Sequence, residues 1–109
     1  VIDIDNFVGR IGSIQGYDID DNFNVYVSSQ YAPGTSSDRT GKIVKFNWNQ
    51  PEAWDTRDLT NDSRLKQNFQ NAETEFESIQ VIGENHLYLT VAYHNNGSTV
   101  GNQIFDIRW

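Results

Sequence analysis

The sequence predicts an all-β protein, with antiparallel strands arranged as about two propeller-like blades. Short segments of alternating apolar and polar residues recur along the chain, and turns rich in Gly, Asn and Asp separate them. Aromatic residues make up 13% of the 109 residues, which suits a small β core or ligand stacking. Similar segments also occur twice at a nearly constant spacing, which is typical of propeller blades.

Composition limits the class of protein. A length of 109 residues corresponds to one domain or a piece of a larger one, and the absence of Met predicts a processed product or an excised fragment. With no Cys, a disulfide framework is impossible. The net charge of −7 argues against nucleic-acid binding. No apolar segment is long enough to span a membrane, and nothing in the sequence indicates a cofactor or a metal.

The first unit is predicted to contain three main strands. Residues 13–19 and 23–31 alternate in polarity on either side of an Asp-Asp-Asn turn, and residues 42–48 follow a loop at 32–41 that holds Pro33 and Gly34. A short strand at residues 1–5 precedes this unit.

The second unit is predicted at residues 75–109, with strands at 76–82, 86–93 and 103–109. The Asn-Gly dipeptide at 96–97 is typical of hairpin turns, and we expect a loop over residues 95–102. An irregular insertion at residues 49–74 separates the two units. Within it, residues 57–60 could form an outer strand, and residues 61–72 either one or two helical turns or a mobile loop.

The repeat can be checked by the spacing of matched residues. Equivalent tyrosines are 62 positions apart, and equivalent residues in the last strand of each unit are 61 apart. A plain β-sandwich would not require these paired spacings, so we interpret residues 13–48 and 75–109 as blade-like units. The matched pairs are Tyr26 and Tyr88, Tyr31 and Tyr93, Ile43 and Ile104, Phe46 and Ile107, and Trp48 and Trp109.

Two blades do not close a propeller, which needs at least about four. The chain is therefore predicted to be a fragment of a longer propeller or a propeller completed by oligomerisation. Unpaired strand edges favour association with other strands, so we also predict self-association.

Four segments resemble a known family: SIQGYDI at 13–19, NVYVSSQ at 24–30, GKIVKFNW at 41–48 and EFESIQVI at 75–82. Together they are similar to the helveticin J family, which comprises large, heat-labile class III bacteriocins of lactic-acid bacteria. The resemblance covers nearly all of this chain and about the last third of a typical member. It implies a secreted antibacterial protein that acts at the envelope of related bacteria, and it assigns no catalytic residue.

The first hairpin contains a spacing similar to that of a calcium-binding loop. However, Phe23 and Ser29 occupy the positions where an EF-hand requires Gly and a bidentate Glu. We therefore interpret this segment as a solvated hairpin. The residues with that spacing are Asp18, Asp20, Asn22 and Asn24.

Glu73, Glu75 and Glu77 are predicted to lie on one face of a strand. Successive residues on the same face of a strand are about 7 Å apart. Two carboxylates could hydrolyse a glycoside if they flanked the bond, so an envelope-glycan hydrolase is the alternative function. His86 and His94 lie at opposite ends of one predicted strand and cannot share a metal. No nucleophile motif accompanies them.

The tryptophans differ in their predicted roles. Trp48 and Trp109 end equivalent strands, which indicates packing between blades. Trp54 has no repeated partner and lies in a polar segment after Pro51, so it is a candidate for stacking on a ligand. The alternative is that Trp54 packs against the sheet.

In a propeller, the start of the innermost strand and the loop between the second and third strands face the same rim. Carboxylates, amides and aromatic rings gather there, and these groups recognise polyols. We predict a non-catalytic domain that binds a bacterial cell-envelope glycan; a structural repeat used in protein–protein assembly is a further alternative. The candidate ligand-binding residues are Gln15, Tyr31, Trp54, Glu75, Glu77, Tyr93 and His94.

Overall fold

A computed structural model describes residues 14–31 and 39–109. The predicted strand at residues 1–5 and most of the predicted loop at 32–41 lie outside the described residues. Within the described ranges the chain forms seven strands and one short helix. The elements are β1 (Ile14–Ile19), β2 (Asn24–Tyr31), β3 (Arg39–Asn47), β4 (Gln50–Asp58), α1 (Ser63–Lys66), β5 (Glu73–Gly83), β6 (His86–Asn95) and β7 (Ser98–Arg108).

The strands form two antiparallel meanders. The first sheet has the order β1-β2-β3-β4, and the second has the order β5-β6-β7. The all-β class is confirmed. The propeller-like arrangement is not identified: the strands of the described residues form two open sheets, and neither sheet is closed.

The insertion at residues 49–74 is more regular than the sequence indicated. Its first part forms the complete strand β4, which pairs along β3 from Asn47 to Lys42, whereas the predicted outer strand at 57–60 covered only the end of it. Its second part contains α1, where the carboxylate of Asp62 accepts a hydrogen bond from the backbone N–H of Arg64 and caps the helix.

The predicted loop at residues 95–102 is a tight hairpin instead. Asn96 and Gly97 have φ angles of 52° and 81°, the left-handed conformation that a two-residue hairpin turn requires. β6 and β7 therefore remain paired up to Asn95 and Ser98. The Asn-Gly signal was correct, and the loop around it was predicted too long.

The main core lies between the two sheets. One face of β2 and β3, with Tyr26 and Ile43, packs towards the apolar face of the second sheet. Leu65 of α1 joins this cluster and is 4% exposed. The buried members from the second sheet are Phe76, Ile79, Leu87, Leu89, Val91 and Tyr93.

The opposite face of β2 and β3 carries a second apolar cluster. Val25, Val27, Val44 and Phe46 form it, and Trp54 packs against it from β4. β2 and β3 thus carry buried apolar side chains on both faces of the first sheet.

β5 lies against β1 and β2 at an unusually short distance. A Cβ atom placed on Gly16 would lie 2.8 Å from the backbone oxygen of Glu77 and 3.0 Å from Cα of Ser78. Only Gly permits this approach. Ser28 uses it to donate a hydrogen bond from Oγ to the Glu77 carbonyl, at 2.9 Å.

The buried side chain of Gln30 also joins the two sheets. It is 2% exposed. Its Nε2 donates to the carbonyl of Thr74 at 3.0 Å, and its Oε1 accepts from the N–H of Phe76 at 2.6 Å. The side-chain amide therefore pairs with the backbone of β5 as a neighbouring strand would.

Asp20 organises the turn between β1 and β2. Its carboxylate accepts hydrogen bonds from the backbone N–H of Asn22 and from both the backbone and the side chain of Asn24. The hydroxyl of Tyr26 donates to the same carboxylate at 3.1 Å and accepts from the N–H of Asn85 in the second sheet at 2.9 Å. The calcium-like spacing thus belongs to a hairpin, as interpreted from the sequence.

The two tryptophans at equivalent positions have different surroundings. Trp48 lies in the β3–β4 turn and is 48% exposed, so the prediction that it packs between repeats is wrong. Trp109 packs against the main core. Its Nε1 donates to Asp55 at 2.7 Å, and the guanidinium of Arg57 lies 4.6 Å from its ring centroid. β4 therefore holds Trp109 in place.

Candidate functional site

The structure brings together three of the seven candidate ligand residues. One donor atom from each of Glu75, Glu77 and His94 lies within 4.8 Å of the other two. The two carboxylates come from β5 and the imidazole from β6. We call these three residues the carboxylate–histidine cluster.

Strand register explains this arrangement. Glu75 pairs with Ala92 in the β5–β6 ladder, and Glu73 pairs with His94. Glu75 and His94 are therefore diagonal neighbours on one face, within reach of long side chains. The register shifts between Phe76 and Ile79, and such a bulge redirects nearby side chains. The carboxylate oxygens of Glu75 and Glu77 lie within 4.8 Å of each other, which long side chains permit although their backbone positions on a regular strand are about 7 Å apart.

His94 lies within β6, near its C-terminal end. Its Nε2 is 2.7 Å from Oε2 of Glu75. The contact does not have hydrogen-bond geometry, and Nε2 is shielded from solvent without a hydrogen-bond partner among the described residues. The other ring nitrogen, Nδ1, lies 3.3 Å from Oγ1 of Thr99 on β7. His94 is thus held by groups on both neighbouring strands.

Tyr93 is a core residue. Its side chain is fully buried and stacks on Phe69 with 4.4 Å between ring centroids. Its hydroxyl donates to the carbonyl of Leu65 and lies 3.2 Å from Oε1 of Gln103, and burial raises its pKa. A ligand at the surface does not reach this ring, so the surface proposed below excludes it.

The remaining candidates are dispersed. Trp54 is half-buried on β4, where it packs against the second apolar cluster and donates from Nε1 to the carbonyl of Pro51 at 2.5 Å. Trp54 therefore packs against the sheet, which was the predicted alternative to stacking on a ligand. Gln15 is half-buried at a register shift in β1, next to the glycine that contacts Glu77. Tyr31 is the last residue of β2, and its side chain is not among the parts of the chain that the structure describes.

A polar groove beside the carboxylate–histidine cluster was not predicted. It has a volume of about 350 Å³, and hydroxyl, amide, ammonium and carboxylate groups line it. The loop after β4 and the segment after α1 supply half of its lining residues, and irregular segments of this kind have no periodic signal to reveal them. The polar lining residues are Gln30, Thr60, Asn61, Lys66, Gln70, Asn71, Glu73 and Thr74.

The chemistry of the two features differs. The groove offers many hydrogen-bond donors and acceptors, which suits polyhydroxylated ligands. The carboxylate–histidine cluster has one nitrogen and several oxygen donors, which suits a cation. Within residues 14–31 and 39–109, no helix has the length and apolar character needed to span a bilayer.

Comparisons with known proteins give one family. The family model described as bacteriocin helveticin-J matches residues 2–109. The curated bacteriocin helveticin-J of Lactobacillus helveticus is 37% identical over 124 aligned positions, which cover 97% of this chain and 37% of the relative. No solved structure matches. The chain thus spans a little over one third of the relative's length, and it belongs to the helveticin-J family of bacteriocins.

Proposed function

We propose that this chain is the part of a secreted bacteriocin that binds a bacterial cell-envelope glycan without catalysing a reaction. Family membership supports the antibacterial role and export from the producing cell. The observation that carries glycan binding is the polar groove, whose lining offers amides, hydroxyls, Lys66 and Glu73. Sugar hydroxyls act as both donors and acceptors, so a groove that offers both kinds of group fits them.

The position of the groove also supports this function. It lies where β2 ends and β5 begins, with Gln30 and Thr74 among its lining residues. Glu75, Glu77 and Gln15 follow on the adjacent strand segments. A polymeric ligand could therefore extend from the groove across these residues, and we propose this continuous surface as the glycan-binding surface.

A hydrolytic function is less well supported. Glu75 and Glu77 both extend from β5, and their carboxylate oxygens lie within 4.8 Å of each other. Glycosidases place their two carboxylates on opposite sides of the scissile bond. A pair on one side of a ligand is better suited to accepting hydrogen bonds from hydroxyls.

Removing groove amides is expected to weaken glycan binding. In the double variant Asn61→Ala/Gln70→Ala, we expect at least a tenfold loss of affinity for purified cell walls of a lactobacillus, because about 1.4 kcal/mol of lost hydrogen bonding corresponds to a factor of ten. Both side chains are exposed, so folding should be retained. Sedimentation with the wall material measures the affinity.

The matched control is Asn49→Ala/Gln50→Ala, which removes two exposed amides at the opposite end of β3 and β4. Equal affinity of both double variants and the unmodified chain would contradict the proposed groove. Release of reducing sugars from the walls, abolished in Glu75→Gln, would favour the hydrolase instead.

A second candidate function is assembly. Tyr26 and Ile43 are fully buried between the sheets, whereas their repeat equivalents Tyr88 and Ile104 are 37% and 69% exposed on the outer face of the second sheet. Residues that the first unit uses for packing thus face solvent in the second. We propose that this outer face packs against a further sheet, which a second copy of the chain could supply.

Light scattering after size-exclusion chromatography tests this candidate. We expect a concentration-dependent increase in mass that Ile104→Lys abolishes, because a charge in an apolar contact is costly. Thr56→Lys on the exposed face of β4 is the control and should leave the mass unchanged. A monomer at all concentrations would contradict self-association.

A further inference from the structure

We propose that Glu75, Glu77 and His94 form a binding site for a divalent transition-metal ion, with Zn²⁺ as the expected ligand. This site goes beyond glycan recognition and does not depend on it. The three residues lie on two paired strands of the second sheet, so a rigid scaffold positions them.

The distances between the three donor atoms are close to those between the ligands of a shared ion. Zinc binds imidazole nitrogen and carboxylate oxygen at about 2.0–2.2 Å, so two ligand atoms of one ion can be up to about 4.2 Å apart. The three donor atoms lie within 4.8 Å of one another. Small rotations about side-chain bonds would bring them to coordination distance without a change in the backbone.

His94 provides the second observation that points to a ligand. Its Nε2 is shielded from solvent, lacks a hydrogen-bond partner among the described residues and faces the Glu75 carboxylate at 2.7 Å. A buried polar atom of this kind costs free energy unless something satisfies it. An ion bound by this nitrogen and both carboxylates, after small side-chain rotations, would satisfy all three groups at once.

The other ring nitrogen of His94 is suited to a supporting role. A histidine that binds a metal through Nε2 carries its proton on Nδ1 and usually donates it to an oxygen. Oγ1 of Thr99 lies 3.3 Å from Nδ1, where it can accept that proton. Thr99 would then fix both the tautomer and the orientation of the ring.

The donor set selects the class of metal. Calcium and magnesium prefer oxygen ligands alone, whereas imidazole together with carboxylates suits zinc and its neighbours. Three protein ligands leave at least one position for water or a ligand oxygen. The chain's net charge of −7 also raises the local concentration of cations.

Titration calorimetry with ZnCl₂ tests the site on the 109-residue chain. We expect one zinc ion per chain and a rise in Tm that grows with zinc concentration, because a ligand that binds the folded state stabilises it. Glu75→Gln and His94→Gln should each weaken binding at least tenfold and abolish the rise in Tm. Circular dichroism verifies that these surface variants fold.

Two matched controls are available. His86→Gln removes the other histidine of the same strand, and Glu52→Gln removes an exposed carboxylate of β4; both should bind zinc as the unmodified chain does. No binding at millimolar zinc would overturn the proposal, and so would unchanged affinity in His94→Gln. Because no glycan is present in these experiments, their outcome is separate from that of the wall-binding experiment.

Discussion

Replacing Asp20 with alanine is expected to lower the free energy of unfolding by about 2–4 kcal/mol, because several charge-assisted hydrogen bonds end on one carboxylate. Asn22, Asn24 and Tyr26 all donate to it. Without the carboxylate, the buried hydroxyl of Tyr26 and the turn amides lose their acceptor. Urea denaturation of both proteins at pH 7 measures the difference.

The effect of this substitution should depend on pH. Burial alone would raise the pKa of Asp20, but the hydrogen bonds from Asn24, Asn22 and Tyr26 outweigh it and lower the pKa below the ordinary value of 3.8. The carboxylate therefore stabilises the fold fully above that value, and this contribution is lost as the pH falls towards the folded-state pKa. The difference between the two proteins should shrink below about pH 4.

Asp21→Ala is the matched control for Asp20→Ala. Asp21 is the next residue of the same turn, and its side chain is exposed, so we expect a change within about 0.5 kcal/mol. Equal destabilisation by both substitutions would show that the turn tolerates loss of the Asp20 hydrogen bonds and would contradict this account.

Replacing Gln30 with leucine is expected to destabilise the chain by about 2–4 kcal/mol, since it leaves a buried backbone donor and acceptor of β5 unsatisfied. These groups are the N–H of Phe76 and the carbonyl of Thr74. Leucine has a similar volume but no polar atoms, so the loss reflects hydrogen bonding more than packing. Thermal unfolding followed by circular dichroism measures it.

Gln80→Leu provides the comparison for Gln30→Leu. Gln80 lies on β5 itself but is exposed, so this substitution should change the stability by about 0.5 kcal/mol or less. If Gln30→Leu were equally mild, the link between Gln30 and β5 would not contribute to stability.

The strands of both units were predictable because their polarity alternates and their turns carry strong signals. Asn96 and Gly97 are an example, since their left-handed conformation is what this dipeptide favours. β4 was largely missed. Only Pro51 and Trp54 of its nine residues, Gln50–Asp58, are even half-buried, so this edge strand lacks the apolar alternation that marks the others.

The candidate site shows a similar division. The sequence placed Glu75 and Glu77 on one face, and strand pairing placed His94 beside them. The sequence could not show the register shift between Phe76 and Ile79 that accompanies Glu77, because bulges depend on register between strands. The sequence also could not show that the side chain of Tyr93 points into the core. Adjacent residues of a strand point to opposite faces, and only the fold decides which face is inside.

The hydrogen bonds between the sheets affect how the chain folds. β5 is an edge strand of its own sheet, yet side chains of the first sheet satisfy backbone groups along it: Gln30 and Ser28 as described, and Asp18, which accepts from the N–H of Val81 at 2.8 Å. Repeat proteins often gain stability unit by unit. Here the outer edge of β5, the first strand of the second unit, lacks partners until β1 and β2 have formed. The two units should therefore unfold together in a single cooperative transition, although the sequence describes them as repeats.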